Sequence, residues 1–208
     1  AYGSYAALLA DPGIDVVYIA LPNALHAEWA IRAVEAGKHV LCEKPLATSV
    51  ADVEAVAAAA RRCNRIVTEA FMYRHHPQTQ RVRELAWDGT IGEVRVLRGA
   101  FRFPLTREHD PRWVPELGGG SLWDVGCYPV GFARAVMGRE PVRAVGWQRP
   151  SPGGVDESFA GQLHLDLVVA QAGNDRFGGL ELEYAPLNGA QGLLLEMADN
   201  IGLGPFLG

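Results

Sequence analysis

The sequence predicts an α/β protein in two parts: a partial, doubly wound parallel sheet over residues 1–74, then an α+β domain with a mostly antiparallel open sheet over residues 75–208. Three observations carry this reading. Short runs rich in β-branched residues alternate with helical stretches through the first third of the chain, as in a parallel sheet with helical crossovers. That alternation stops near residues 71–76. Beyond it the strand candidates alternate polar and apolar residues, the pattern of sheets with one wet face.

The opening text AYGSYAALLADPG places Ser4 as the cap of a helix already under way, and residue 1 is Ala, so the chain is expected to start inside a domain. Asp15–Ala20, His39–Glu43 and Ile66–Ala70 read as strands buried on both faces. Asn23 can cap a helix carrying Leu25, Trp29 and Val34 and ending at Gly37. Ser49 can cap an Ala-rich helix reaching about Arg62, with Val53, Val56, Ala57 and Ala60 on one face. In the second part, Pro77–Trp87 reads as a helix and Glu93–Phe103 as a half-exposed strand with a slip at Leu97. The glycines 118–120 lead into a helix over Ser121–Met137 that either kinks or restarts at Pro129, which cannot donate a helical bond. Val142–Trp147, Ser158–Val169 and Leu180–Tyr184 read as further strands, the second placing Phe159, Gly161, Leu163, Leu165 and Leu167 on one face; Ser151–Glu157 is a surface loop.

Composition narrows the function. With 208 residues, 49% of them hydrophobic and 21% charged, the chain can bury a core, and a net charge of −5 offers no basic footprint for nucleic acid or anionic lipid. Apolar runs such as Val16–Leu21 and Leu193–Leu195 fall far short of the roughly 20 residues that cross a bilayer, and no charged-then-apolar leader opens the text. A cytoplasmic protein working on a small molecule, without nucleic acid or membrane, is expected. Cys42, Cys63 and Cys127 are odd in number and widely spaced, which supports core packing over a disulfide framework or a zinc knuckle.

Ligands of open parallel sheets bind at the carboxyl ends of the strands. That rule selects Leu21, Pro22 and Asn23 after the first strand, with His26 one turn on, and Glu43, Lys44 and Pro45 after the second. Asn23 is equally a helix cap, and His26 equally a helix-surface residue. Lys44 is harder to explain as packing: a charged pair at a strand's end, stiffened by a Lys-Pro peptide able to adopt cis, asks for a chemical reason. Asp124 and Tyr128, four apart, share a helix face and can point into one pocket; alternatively Asp124 forms a capping box with Ser121, and Tyr128 is a core edge. Arg112 and Trp113 line that pocket or lie on the surface. Arg74, in the run MYRHHP, meets a cofactor or caps the domain junction. His75 and His76 lack spaced partners for a metal, HExxH and Gly-x-Ser-x-Gly are absent, and Ser121 reads as a cap.

The stretches ALPNALHAEWAIRAVEAGKHVLCEKPLATS (residues 20–49) and GGGSLWDVGCYPV (residues 118–130) resemble the Gfo/Idh/MocA oxidoreductases over residues 1 to about 165. The resemblance implies an NAD(P)-dependent dehydrogenase with a Rossmann domain and an α+β domain carrying an open sheet. It places Lys44 beside the nicotinamide and the substrate's reacting hydroxyl, and makes Leu21, Pro22, Asn23, His26, Glu43, Pro45 and Arg74 the other cofactor candidates. Many relatives carry histidine where this chain has Tyr128; tyrosine resembles the glucose-fructose oxidoreductase and dimeric dihydrodiol dehydrogenase branch, which acts on sugars, polyols and cyclic diols. A phenol titrates near pH 10, and a neighbouring ammonium brings it toward neutrality. Lys44 and Tyr128 then form an acid/base pair, Tyr128 taking the hydroxyl proton as hydride leaves for NAD or NADP, while Asp124 orients a substrate hydroxyl. A homodimer formed through the open sheet is expected.

Two departures matter. The fingerprint strand, Gly-x-Gly-x-x-Gly and helix that receives a pyrophosphate does not precede Ala1, and neither the glycines at 118–120 nor GLGPFLG follows a strand and opens a helix. After Leu165 the text is shorter than the family's sheet, whereas LLLEMADNI resembles its final helix. Two readings therefore stand: an oxidoreductase module whose glycine loop lies upstream, or a folded remnant that catalyses nothing.

Overall fold

A computed structural model of the chain describes residues 1–107, 109–165, 178–182 and 192–198. They form two compact units, the first from Ala1–Met72, Arg107–Asp124 and Ser151–Val155, the second from Tyr73–Thr106, Val125–Pro150 and the chain from Asp156 onward.

In the first unit, β1 (Val16–Ile19), β2 (His39–Cys42) and β3 (Val67–Glu69) lie side by side and parallel, in register Ile19 to Cys42 to Glu69. Helix α1 (Tyr5–Ala10) is capped by the Ser4 hydroxyl, which accepts from Ala7 N, and α3 (Val50–Cys63) by Ser49, which accepts from Asp52 N. Between them runs α2 (His26–Glu35), ending before Gly37 at φ +81°. Ile19, Val40 and Cys42 pack against Ala30, Ala33 and Val34 of α2 and Val56 and Ala59 of α3. The strands were expected to be buried on both faces; the opposite face instead leaves Val16, Tyr18 and Leu41 exposed, because among the described residues both crossover helices pack into one core on one side. Asn23 does not cap α2. It opens a 3-10 turn, Asn23–Leu25, that has no side-chain cap, and its amide is spent elsewhere.

In the second unit five strands are described, in the order β5 (Pro141–Pro150), β6 (Asp156–Leu165), β7 (Gly178–Leu182), β4 (Val96–Arg102), β8 (Gly192–Ala198). Among the described residues, only β4 and β7 of this unit pair in parallel. Leu97, Phe132, Ala133, Val136 and Leu163 form the core under α4 (Pro77–Trp87) and α5 (Cys127–Met137). The indole of Trp87 donates to Val136 O at 2.6 Å. Gly161, Leu163 and Leu165 of β6 are buried in alternation as the pattern requires; Leu167 and Tyr184 lie outside the described residues.

Two expectations are corrected here. Leu193–Ala198, expected in a final helix, belong to β8, paired antiparallel to β4 with Leu195 opposite Gly99: a largely apolar run with no clear period takes whichever partner it meets, and β4 supplies a ladder. Ser121–Met137 is not one regular helix, since Leu122–Gly126 make a π-helical turn before α5 restarts at Cys127. Pro129 then falls in the first turn of α5, where a missing N–H loses no bond. Among the described residues no helix is long and apolar enough to cross a membrane.

Candidate active site

The two segments selected by the strand-end rule lie side by side. Glu43 N donates to Ile19 O (2.9 Å), carrying the ladder one residue past β2, and the next peptide, Lys44–Pro45, is cis. The Glu43 carboxylate accepts the Tyr18 hydroxyl on Oε1 and Lys44 N on Oε2 (3.3 Å); the bond to Glu43 is the main cause holding the Tyr18 hydroxyl above its ordinary value. Leu46 N donates to Glu69 Oε1 at 2.8 Å. His26 is fully buried, its Nδ1 2.7 Å from Pro45 O and its Nε2 2.7 Å from Leu21 O. One ring thus ties the chain leaving β1 to the chain leaving β2.

The charge of Lys44 is met from far along the sequence. Its ammonium donates to the main-chain oxygen of Asp124 and, at 3.1 Å, to Asp124 Oδ1. Both side chains are nearly buried, at 13% and 14% exposure. Arg112 Nε donates to Asp124 Oδ2 at 2.7 Å, and Arg112 Nη1 reaches Asp110. Burial pulls the Arg112 guanidinium down, but the carboxylates of Asp124 and Asp110 outweigh it and hold it above its usual range. Burial likewise raises the Asp110 carboxyl, and the N–H groups and charge of Arg112 overcome this and keep it low. Asp124 and Arg112, the latter half-exposed, thus join Lys44 and Asp110 in a charged cluster.

The glycines of 118–120 bring this segment in. Gly118 (φ +73°) adopts a backbone that L side chains avoid, and a Cβ there would lie 2.9 Å from Asn23 Cβ and 3.0 Å from Thr48 Cγ2. A Cβ on Gly119 would collide with the carbonyl of Arg112. Asn23 Nδ2 donates to Gly118 O at 2.8 Å, which is where its amide goes. A cavity of about 390 Å³ results, lined by Leu21, Pro22, Asn23, Glu43 and Lys44 with Arg112, Gly118, Gly119 and Asp124. Pro45 is buried, and His26, also without exposed surface, borders the cavity.

Tyr128 and Arg74 belong to the second unit. The Tyr128 ring meets Phe101 edge-on, centroids 5.3 Å apart, and Tyr73 at 5.9 Å; Arg74 lies exposed on the 3-10 turn Met72–His75. Sequence reasoning overlooked Tyr18, Glu69 and Asp110. A carboxylate inside the apolar run IVTEA was the available signal for Glu69; nothing local marks the other two. Among the described residues no cluster of His, Cys, Asp and Glu is placed to hold a metal.

A parallel sheet with a charged site at its carboxyl ends, followed by an α+β unit, is the architecture of dinucleotide-binding oxidoreductases. Comparison with known proteins agrees. Residues 1–71 match the oxidoreductase family with the NAD-binding Rossmann fold, and residues 79–180 match the GFO/IDH/MocA C-terminal domain. The chain belongs to the Gfo/Idh/MocA oxidoreductase family. It is 41% identical to a D-xylose 1-dehydrogenase (NADP(+)) of Haloferax volcanii over 93% of this chain and 60% of that protein. It is 42% identical to a trans-1,2-dihydrobenzene-1,2-diol dehydrogenase of Xenopus laevis over 77% and 48%. Among solved structures, a 3-ketoreductase from Actinomadura kijaniata in complex with TDP-benzene and NADP superposes with a TM-score of 0.77 at 34% identity, covering 88% of this chain and 54% of that one. The chain spans about half the length of the curated relatives it matches.

Proposed function

We propose that this chain carries the reaction centre of a dehydrogenase that moves a hydride between NAD or NADP and a hydroxyl of a sugar, polyol or cyclic diol. The observation that carries the reading is Lys44: a nearly buried ammonium at the carboxyl end of a parallel strand, fixed by a carboxylate and a carbonyl of Asp124 on the wall of a cavity. A nearly buried cation held in this way is preorganised to meet developing negative charge. The named activities of the relatives, on xylose and on a dihydrodiol, support the substrate class.

The cavity fits the reactive end of a nicotinamide cofactor. Its volume falls within the range of cofactor sites, at about 300–1,000 Å³. Its walls combine Leu21, the ring of Pro22 and the backbone of Gly118 and Gly119 with the polar and charged groups of Asn23, Glu43, Lys44, Arg112 and Asp124. Leu21, Pro22, Asn23, Glu43, Lys44 and Pro45 would hold the cofactor, with His26 at the cavity's border and Arg74 from the second unit. When bound, the cofactor supplies the hydride acceptor. The chain's residues handle the proton: Tyr128 accepts it from the hydroxyl, Lys44 stabilises the resulting negative charge, and Asp124 orients a neighbouring hydroxyl. Two copies are proposed to pair through the second unit's sheet, a reading supported by the exposed Val142 and Trp147 on β5 and checked by sedimentation velocity, where a monomer would refute it. The thiols of Cys42 and Cys63, outside any disulfide, support a reducing, cytoplasmic compartment.

Steady-state turnover of aldoses and cyclic diols with NAD and NADP tests the reading. Lys44→Met and Tyr128→Phe should each lower kcat by roughly 10²-fold or more, the scale of lost acid/base catalysis. If each stays within about threefold of wild type, the assignment is wrong.

A further inference from the structure

The acid/base reading leaves one half of the charged cluster unused. Asp124 gives Oδ1 to Lys44, while Oδ2 takes Arg112 Nε at 2.7 Å. Behind Arg112 stands Asp110, 6% exposed, whose two oxygens lie 3.1 and 3.2 Å from Arg112 Nη1. Asp110 Oδ1 also accepts the main-chain N–H of Arg112 (3.0 Å), capping the 3-10 turn Pro111–Trp113. The signs alternate along the row: Asp110 negative, Arg112 positive, Asp124 negative, Lys44 positive.

The geometry has a mechanical consequence. The last torsion of an aspartate is broad, so a carboxylate facing a lone ammonium can turn or exchange oxygens with little penalty. A guanidinium is planar, and its Nε–H approaches in the guanidinium plane; anchored on Asp110 through Nη1, it holds Asp124 Oδ2 in one place. Oδ1 is then fixed, and with the Asp124 carbonyl it gives the Lys44 ammonium two acceptors at set positions. We propose that Arg112, aimed by Asp110, is a positioning residue: it acts through Asp124 to set where the Lys44 ammonium stands. The proposal rests on the role given to Lys44 above.

The test combines Arg112→Gln, Arg112→Lys and Asp110→Asn, each alone and with Asp124→Asn, in the protein that carries this chain. Thermal unfolding reports folding, and NAD(P)H fluorescence titration reports cofactor affinity. Arg112→Gln should lower kcat roughly 10- to 100-fold, the scale of a misplaced catalytic group, with cofactor Kd unchanged within about twofold. Arg112→Lys keeps the charge without the planar fork and should recover only part of the loss. Asp110→Asn keeps the cap and should lose about 3- to 10-fold in kcat. In the Asp124→Asn background, Arg112→Gln should add less than about a twofold loss, because residues acting through one group are not additive. The proposal is overturned if Arg112→Gln stays within about twofold of wild type while Lys44→Met is inactive, or if it loses the same factor in both backgrounds. An active Lys44→Met instead removes the parent reading, and this one with it. Should Arg112→Gln not fold, Asp110→Asn decides by the same criteria.

Discussion

Replacing His26 isolates what holds the cavity floor together. The ring is fully buried, with a carbonyl oxygen 2.7 Å from each nitrogen, Pro45 O on one side and Leu21 O on the other. His26→Phe keeps a ring of similar size and leaves no cavity, but it offers neither carbonyl a donor. A single ring N–H serves one of the two carbonyls, and a buried acceptor stripped of its partner costs about 1–3 kcal/mol, so we expect about 2 kcal/mol after the loops relax. His26→Ala adds lost packing but opens a polar space large enough for water, which can restore part of the bonding, so it should be no worse than His26→Phe by more than about 1 kcal/mol. Urea unfolding at pH 7 with a common m value measures both. Because the two carbonyls belong to the segments leaving β1 and β2, cofactor affinity should fall together with stability. A His26→Phe variant less than about 1 kcal/mol below wild type would show that the two segments do not depend on the ring.

Gly118→Ala should lose about 2–3 kcal/mol, combining left-handed backbone strain of about 1–2 kcal/mol with the crowding of Asn23 and Thr48, whereas Gly89→Ala, at φ +80° with open space around it, should lose only the strain. Equal losses in differential scanning fluorimetry would remove the packing argument. Burial first, then the carboxylates of Glu69 and Glu43, push the Cys42 thiol up to about 12. A thiol raised in the fold contributes stability that is fully present below its unfolded pKa of about 8.5–9 and is lost as pH rises toward 12; between these values the unfolded chain has released the proton and the native chain has not, a slope near −1.4 kcal/mol per pH unit. Urea midpoints between pH 8 and 10 should therefore fall more steeply in wild type than in Cys42→Ala, and parallel slopes would count against the buried thiol as the cause.

Much of the fold was legible because its signals are local. Ser4 and Ser49 announce α1 and α3 by capping bonds within three residues, and Pro77 opens α4 where its ring suits a first turn. β1, β2 and β3 stand out as β-branched runs. What misled was the assumption that such runs have two covered faces; apolar character alone cannot say how many helices meet a strand. The run LLLEM is the sharper case. It has neither a period of two nor one of 3.6, so its state is set by β4, nearly a hundred residues earlier, which no window on the sequence can see.

The candidate site divides in the same way, and the division follows from charge. Lys44 could be picked out because an ammonium at the end of an apolar strand is expensive to place, and expense is visible without a partner. Asn23 stayed open between two uses because an asparagine before a helix has a cheap local one, and only the carbonyl of Gly118, 95 residues on, shows the other. Asp110 and Arg112 carry no such mark: each is common near a turn, and their meaning arises only when three glycines let the chain fold back upon Arg112 and bring Asp124 within reach of both cations. The number and identity of charges in the cluster can thus be read from the text, but their order cannot. Alternation of sign lets four neighbouring charges sit together, three of them nearly buried and Arg112 half-exposed, since any one charge removed from the row would leave a neighbour uncompensated. Neutralising Asp110 should therefore act at Lys44, which it does not touch.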